Sequence, residues 1–239
     1  MLRAVLFDLD DTLFDHRLCA RTALTTLYEA YEAFRSRPFA EVESLHAGFL
    51  EELHRRVTAG ELPLDFARRE RFQRLFAAVG ETPADHIVAE AAETYRGGYM
   101  RLRKAVAGAA ALLAAVKEHA LVGIVSNNLL EEQRGKLRQC ALDQYVDVLV
   151  VSEEAGMSKP DPRIFQIALD RLACRADEVV MVGDSWAADV VGARAAGIRP
   201  IWFNPDGASS PDPGAGIGEL RGLEPVDVAL SIIFDLGGG

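Results

Sequence analysis

The chain has 239 residues, a formal net charge of -10 and a pI near 5.0. This acidic balance argues against a nucleic-acid backbone or an anionic membrane surface as partner, and no apolar run approaches the ~20 residues of a membrane span. Three cysteines without metal-ligand spacing, and no room for a signal peptide before the first strand, favour a cytoplasmic protein with reduced thiols. A small anionic substrate remains compatible, because a bound metal or local cations can reverse the field in a pocket.

The first element is a buried strand that runs into a cluster of acids. Residues 4–7 are all apolar, and Asp8, Asp10 and Asp11 follow at once. A continuous apolar run predicts a strand covered on both faces, and ligands of α/β proteins bind at the carboxyl ends of such strands. Acids this close repel one another unless a cation lies between them. The stretch predicts a Mg²⁺ and phosphate site; an acid-rich turn or a helix cap is the alternative.

Residues 15–103 contain no strand-like run. Apolar residues recur there at helical spacing in four stretches, which predicts a helical bundle inserted after the first strand. The predicted domains are therefore an α/β core of residues 1–14 and 104–239 and a helical cap of residues 15–103. Within the cap, residues 68–71 (Arg-Arg-Glu-Arg) are expected on the exposed face of a helix whose Phe66, Phe72 and Phe76 face inward. The histidines lack partner spacing and are assigned no chemistry.

Helices and strands alternate from residue 105 onward. The pattern predicts helices at 106–119, 131–140, 164–172 and 188–196, and strands at 121–125, 146–151, 178–182 and 199–203. Such alternation indicates parallel strands joined by right-handed crossovers. Beyond Asn204 the Gly- and Pro-rich chain is expected to form a loop, followed by a helix at 226–234. The last three glycines, residues 237–239, are expected to fray.

Polar residues follow several of these strands and form a chemically consistent set. Their members are Asp8 and Asp10 after the first strand, Ser126 and Asn127 after the second, Lys159 in the loop after the third, and Asp184 and Asp189 after the fourth. Phosphoryl transfer needs a nucleophile, an acid/base, a metal and positive charge near the phosphoryl oxygens. Taken singly these residues suit a turn, a surface lysine or a helix start; taken together they favour a phosphoryl-transfer site.

Four motifs carry a resemblance to a known family. They are Asp8-Leu9-Asp10-Asp11-Thr12-Leu13, Ser126-Asn127-Asn128, Lys159-Pro160-Asp161 and Gly183-Asp184-Ser185-Trp186-Ala187-Ala188-Asp189. In this order they resemble the haloacid dehalogenase superfamily of hydrolases, in its phosphatase branch. The resemblance covers nearly the whole chain. It implies a Rossmann-like parallel sheet of order 5-4-1-2-3, flanked by helices, with an inserted helical cap of the family's first type.

The resemblance also implies roles for the acids. Asp8 would be the nucleophile that becomes an aspartyl-phosphate, and Asp10 would protonate the leaving oxygen and later activate water. Asp8, the backbone carbonyl of Asp10 and Asp184 would hold Mg²⁺. Asp189 would either contact the metal through water or orient Lys159.

The remaining site residues are implied to hold the phosphate. Ser126 and the backbone N–H of Asn127 would bind its oxygens, and Lys159 would offset charge on Asp8 and on the phosphoryl group.

Several reactions fit this scaffold. The family's haloacid dehalogenases lack an acid at the position of Asp10 and do not use Mg²⁺, so a phosphatase is favoured; a phosphomutase shares every catalytic residue. A non-enzymatic phospho-switch would be shorter and lack the insertion, and a degenerate binding protein would have lost an acid. The residues of the first and third motifs resemble those of pyrimidine 5′-nucleotidases and N-acylneuraminate-9-phosphatases. Phosphoglycolate phosphatases are a close alternative. A nucleoside or sugar monophosphate is the favoured substrate, and a monomer or homodimer the expected state.

Overall fold

The computed structural model describes residues 1–235, and it divides into two compact units. A core unit comprises Met1–Asp15 and the described residues from Lys104 onward, and a helical unit comprises His16–Arg103. Among the described residues, none of the helices has the length and apolar character needed to cross a membrane. The expected fraying of residues 237–239 concerns positions outside the described ones.

A parallel sheet of six strands organises the core unit. The strands are β1 (Ala4–Phe7), β2 (Leu121–Ser126), β3 (Val148–Val151), β4 (Val179–Gly183), β5 (Arg199–Phe203) and β6 (Gly218–Leu220). Their order is β3-β2-β1-β4-β5-β6, and every neighbouring pair is parallel. The predicted Rossmann-like class is thus confirmed. All four residues of β1 are fully buried, as expected of a strand covered on both faces.

The strand order departs from the predicted 5-4-1-2-3 at one edge. The five predicted strands keep their neighbours, but β6 pairs with β5 in a stretch that was expected to be loop. A three-residue strand is too short to show a period-2 pattern in sequence. Asn204, which directly follows β5, holds β6 in position. The Nδ2 of Asn204 donates to the carboxylate of Glu219 in β6 at 2.7 Å and to the Ala208 carbonyl at 2.9 Å.

The described residues of the two units contain ten α-helices. They are α1 (His16–Ala30), α2 (Phe39–Thr58), α3 (Leu64–Ala78), α4 (Asp85–Leu102), α5 (Ala109–Lys117), α6 (Leu130–Gln139), α7 (Ser152–Ala155), α8 (Pro162–Leu172), α9 (Val191–Ala195) and α10 (Val226–Ile233). Helix α8 packs against β2 and β3, where Ile164 and Phe165 share an apolar cluster with Ala4 and Leu6 of β1. Helix α5 packs against β2 and α10.

Helices α1 to α4 form the helical unit around their own apolar cluster. Buried side chains from all four helices build it, among them Leu24, Leu27, Val42, Phe72, Leu75, Val88 and Tyr95. The predicted orientation of α3 is wrong at two positions, since Phe66 is 52% exposed whereas Arg71 is only 8% exposed. Arg71 lies four positions after Ala67 and four before Leu75, both buried, so the helical repeat places it on the inward face, whereas Phe66 lies on the opposite side of the helix.

Arg71 is buried among aromatic rings. Its guanidinium carbon lies 4.7 Å from the ring centre of Tyr95 and 4.9 Å from that of Phe72, and the His46 ring lies 4.8 Å from the Tyr95 ring. A cation–π contact contributes about 0.5–2 kcal/mol, whereas an unpaired buried charge costs several kcal/mol. The rings therefore offset only part of the desolvation of Arg71.

Burial also changes the proton affinity of His46. Desolvation lowers the pKa of His46 well below its ordinary value, and the neighbouring charges of Arg71 and His16 lower it further. His46 is 3% exposed and faces rings of α3 and α4. Its imidazole is consequently neutral in the folded protein at a pH where a free histidine would be protonated.

This pKa predicts a loss of stability in mild acid. Below the ordinary histidine pKa of about 6.5, the unfolded chain gains a proton at His46 that the folded chain does not bind. The free energy of unfolding should therefore fall between pH 7 and pH 5, by up to ~1.4 kcal/mol per pH unit for this group. Urea unfolding followed by circular dichroism measures it. His46→Gln should flatten the slope, with His86→Gln at an exposed site as control; an unchanged slope in His46→Gln contradicts the assignment.

Candidate active site

A tight turn after β1 sets the positions of the first acids. The N–H of Asp8 still donates to the Val182 carbonyl of β4 at 2.9 Å, and Leu9 is then fully buried. The N–H groups of Leu13 and Phe14 both donate to the carbonyl of Leu9, at 3.0 and 2.8 Å. Asp11 adopts a left-handed φ of 62°, a conformation that Asp tolerates better than most residues. The turn thus keeps the acids of the first motif at the carboxyl end of β1.

Lys159 bridges two carboxylates at this edge. Its Nζ lies 2.5 Å from Oδ1 of Asp8 and 2.6 Å from Oδ1 of Asp189, and the lysine is 5% exposed. Asn127 holds the lysine backbone, since its Oδ1 accepts from the Lys159 N–H at 2.7 Å and its Nδ2 donates to the Lys159 carbonyl at 2.9 Å. Lys159 is therefore held at its ammonium group by two carboxylates and at its backbone by Asn127.

Asp189 is fixed by β4 and the turn that follows it. Its Oδ2 accepts from the backbone N–H of Ser185 at 3.0 Å, so both of its carboxylate oxygens have partners within the site. A Cβ on Gly183 would lie 2.3 Å from Oδ2 of Asp189, so this approach requires glycine there. The predicted helix at 188–196 starts instead with a π-helical turn, Trp186–Val190, which carries Asp189 inward to 1% exposure.

Burial and charge act in opposite directions on the central pair. Desolvation raises the pKa of Asp8 well above its ordinary value; Lys159 opposes this rise, and Asp189 and Asp184 add to it. Burial alone would lower the pKa of Lys159, but Asp189 and Asp8 raise it above its ordinary value. Lys159 is thus firmly cationic, and the carboxylates around it carry more negative charge than one lysine offsets.

The acids around Asp8 suit a hard divalent cation. Oxygen atoms of Asp8, Asp184 and Asp189 lie within 4.8 Å of one another. Thr12 positions Asp184, because its Oγ1 accepts from the Asp184 N–H at 3.1 Å and donates to Oδ1 of Asp184 at 3.4 Å. Carboxylate oxygens are the ligands that Mg²⁺ prefers. Burial raises the pKa of Asp8, and the nearby carboxylates of Asp189 and Asp184 raise it further, so a cation among these acids would favour their charged forms. The donor set fits Mg²⁺ on Asp8 and Asp184, with Asp189 already engaged by Lys159.

Asp10 is held by three donors that follow β2. Lys136 Nζ lies 2.5 Å from Oδ1 of Asp10, and the amide nitrogens of Gln133 and Asn128 each lie 3.0 Å from Oδ2. The lysine side chain is 4% exposed and Gln133 is fully buried. Gln133 also donates to the Ser126 Oγ at 2.5 Å, so Ser126 and Asp10 are linked through one amide group.

Gln133 and Lys136 were not predicted as site residues from the sequence. Both lie on α6, three residues apart, and with Leu137 they form its buried face. The sequence did contain an indication of this. Helix α6 has few apolar residues, and Gln133 and Lys136 stand at the helical spacing where apolar residues that face the core are normally found. Asn128 and Thr12 lie inside the recognised motifs, but only the structure shows which acid each of them contacts.

Comparison with known proteins identifies relatives over most of the chain. The family model for haloacid dehalogenase-like hydrolases matches residues 2–197. A ribulose-1,5-bisphosphate 5-phosphatase from Halopiger xanaduensis is 33% identical over 213 residues, which cover 86% of this chain and 86% of that protein. The pyrimidine 5′-nucleotidase YjjG of Escherichia coli is 37% identical over 107 residues, covering 44% of this chain and 47% of that protein.

Solved structures share the fold as well. The structure of the HAD-hydrolase YfnB from Bacillus subtilis, bound to magnesium, is 26% identical with a TM-score of 0.74. The match covers 96% of this chain and 98% of that one. Together with the family match over residues 2–197, these likenesses confirm the resemblance carried by the four motifs. The chain belongs to the haloacid dehalogenase-like hydrolases.

Proposed function

We propose that this chain is a Mg²⁺-dependent phosphatase that hydrolyses phosphomonoesters of small metabolites through an aspartyl-phosphate on Asp8. The observation that carries the proposal is the placement of Asp8 beside Lys159, Asp184 and Asp189 at one edge of the sheet. A phosphatase is favoured over a dehalogenase because Asp10 provides an acid two residues after the nucleophile. The likeness to named phosphatases supports this class of substrate, and a nucleoside or sugar monophosphate is the favoured member.

Asp8 acts as the nucleophile in this proposal. One of its oxygens attacks phosphorus while the bond from phosphorus to the leaving oxygen breaks. Lys159, held at 2.5 Å from Oδ1, keeps positive charge beside the carboxylate and the incoming phosphoryl oxygens. Mg²⁺ bound by Asp8, Asp184 and the backbone carbonyl of Asp10 would supply further neutralisation of the phosphate charge. Ser126 and the N–H of Asn127 bind phosphoryl oxygens.

Asp10 moves the protons of both half-reactions. It donates a proton to the leaving oxygen, and then takes one from the water whose oxygen attacks phosphorus and releases Asp8. Lys136, Gln133 and Asn128 fix the direction of its carboxylate before the reaction. They are positioning residues, because they act through Asp10.

The nucleophile assignment predicts a metal-dependent activity that Asp8→Asn abolishes. The amide cannot attack phosphorus, so turnover of p-nitrophenyl phosphate in Mg²⁺ should fall by more than ~10⁴-fold, to the background of the uncatalysed reaction. Removing Mg²⁺ with a chelator should have a similar effect on the wild type. Asp170→Asn, on the surface of α8, is the control. Near wild-type rates in Asp8→Asn, or turnover of 2-chloropropionate instead of the phosphate ester, would overturn the proposal.

The geometry predicts different consequences for Asp184 and Asp189. Asp184→Asn removes a metal ligand and should raise the Mg²⁺ concentration for half-maximal activity at least about 10-fold. Asp189→Asn loosens Lys159 and should mainly lower kcat, with a smaller change in that concentration. Mg²⁺ titrations of activity and of Tm compare the two variants. The reverse ranking of the two variants would make Asp189 the ligand.

The pKa of Asp8 also predicts how metal binding depends on pH. The Mg²⁺-induced rise in Tm should grow with pH, because the raised pKa of Asp8 means that a proton competes with the ion.

The contact of Lys136 with Asp10 predicts a loss of rate without loss of binding. Lys136→Met keeps the buried stem but frees the Asp10 carboxylate to rotate, and misplacement of an acid/base on this scale costs on the order of 10²-fold in kcat. KM should change little, and the pH–rate profile should change shape. Lys117→Met is the matched control, because Lys117 also contacts a carboxylate, Asp147, at 2.6 Å, but away from the site. Equal kcat values in the two variants would remove Lys136 from the mechanism.

A further inference from the structure

The helical unit contains a second group of buried polar atoms that the proposed phosphatase chemistry does not use. The Nε of Arg71, the Nε2 of His46 and the hydroxyl of Tyr95 are buried and have no hydrogen-bond partner among the described residues. These side chains come from α3, α2 and α4, and they are 8%, 3% and 4% exposed. Buried polar groups are rarely left without a partner in folded proteins.

The three residues form one cluster around the Tyr95 ring. The Arg71 guanidinium carbon lies 4.7 Å from the centre of that ring, and the His46 ring lies 4.8 Å from it. Phe72 closes the cluster on the α3 side, 4.9 Å from the guanidinium carbon and 5.7 Å from the His46 ring. The rings restrict the side chain of Arg71, so its N–H groups are preorganised.

The charge of this cluster is uncompensated. Among the described residues, Arg71 makes no ion pair with a carboxylate. Burial lowers the pKa of Arg71 and the nearby cation Arg68 lowers it further, while Tyr95 and Tyr99 oppose this shift. Burial lowers the pKa of His46 most, and its neighbours Arg71 and His16 lower it further, so the imidazole stays neutral. Guanidinium is obligatorily a donor, and the Tyr95 hydroxyl and a neutral imidazole can each donate one hydrogen bond. The cluster thus offers donors and positive charge, and it lacks an acceptor of matching charge.

We propose that Arg71, His46 and Tyr95 form a binding site for an oxyanion, the carboxylate or phosphate of a small metabolite. A guanidinium presents paired N–H groups in the plane that carboxylate and phosphate oxygens match, and such charge-assisted hydrogen bonds are the strongest that side chains form. An anion would supply both the missing acceptor and the missing charge. The inference requires none of the residues assigned to phosphoryl transfer, so it stands or fails apart from the proposed function.

A binding experiment tests the site directly. The wild-type chain, free of Mg²⁺, is titrated with malonate and separately with sulfate, and Tm is measured against sodium chloride of equal ionic strength. A ligand that binds the folded state raises Tm in a saturable way. In Arg71→Met the same rise should need about 10- to 100-fold more anion, the range expected for losing hydrogen bonds to a charged group. Arg69→Met, at an exposed position of α3, should respond as the wild type does.

Tyr95→Phe separates binding from packing. If the cluster only packs the helical unit, removal of an unpartnered hydroxyl leaves the response to anions unchanged and does not lower Tm. If it binds an anion, the Tm of the free protein stays at or above the wild-type value, while the anion-induced rise shrinks. This variant also covers the case in which Arg71→Met fails to fold. A rise that is equal in wild type, Arg71→Met and Tyr95→Phe overturns the site.

Substrate pairs then identify the source of the anion. The ratio of kcat/KM for 3-phosphoglycerate over glycerol 3-phosphate reports a carboxylate, and that for fructose 1,6-bisphosphate over fructose 6-phosphate reports a second phosphate. A fall of about 10- to 100-fold in one ratio in Arg71→Met, and not in Arg69→Met, assigns the site to that group of the substrate. Unchanged ratios beside a lost Tm response assign it to a separate small anion. Unchanged ratios together with an unchanged Tm response refute the inference. Absence of any turnover in the wild type would refute only the phosphatase proposal.

Discussion

The contact of Lys159 with both Asp8 and Asp189 is the interaction on which the rest of the site depends. Each of the three side chains is nearly inaccessible to solvent, so none of these charges would be tolerated there alone. The lysine draws two carboxylates together, and the third, Asp184, stands close enough to share a cation with them. The residual negative charge is the physical reason that a divalent ion suits this edge of the sheet.

The sheet order makes this contact possible. Strand β1 lies between β2 and β4, so the residues that follow these three strands lie side by side. This place is the topological switch point of the sheet, on either side of which the strand order runs in opposite directions. Asn127, after β2, fixes the backbone of Lys159, and Gly183, at the end of β4, leaves room for the Asp189 carboxylate. Asn127 directly follows β2 and Gly183 ends β4, so the strand order determines which residues meet at this edge.

How far sequence reasoning reaches depends on whether a residue's role is local. The acids after β1 and β4 could be predicted, because a buried apolar strand followed at once by a carboxylate indicates in the sequence itself where a ligand would bind. The pattern of α6 could indicate that Gln133 and Lys136 face inward, but not that they contact Asp10, since packing decides which element the helix meets. The same limit explains Phe66 and Arg71, where an apolar residue faces water and a charged one does not. Strand β6 was missed because three residues carry no periodic signal.

The two buried lysines of the described core residues and the buried Arg71 of the helical unit show how differently a fold can treat a cation. Lys159 and Lys136 each touch a carboxylate at 2.5 Å, so their charges are offset within the chain and each lysine holds an acid in place. Arg71 touches aromatic faces instead, which attract a cation more weakly than a carboxylate does. A buried cation that already contacts a carboxylate has little to gain from a further anion. A buried cation that contacts only aromatic faces still has N–H groups that an anion can accept from. The two lysines therefore suit the organisation of a site, whereas Arg71 suits the binding of a ligand.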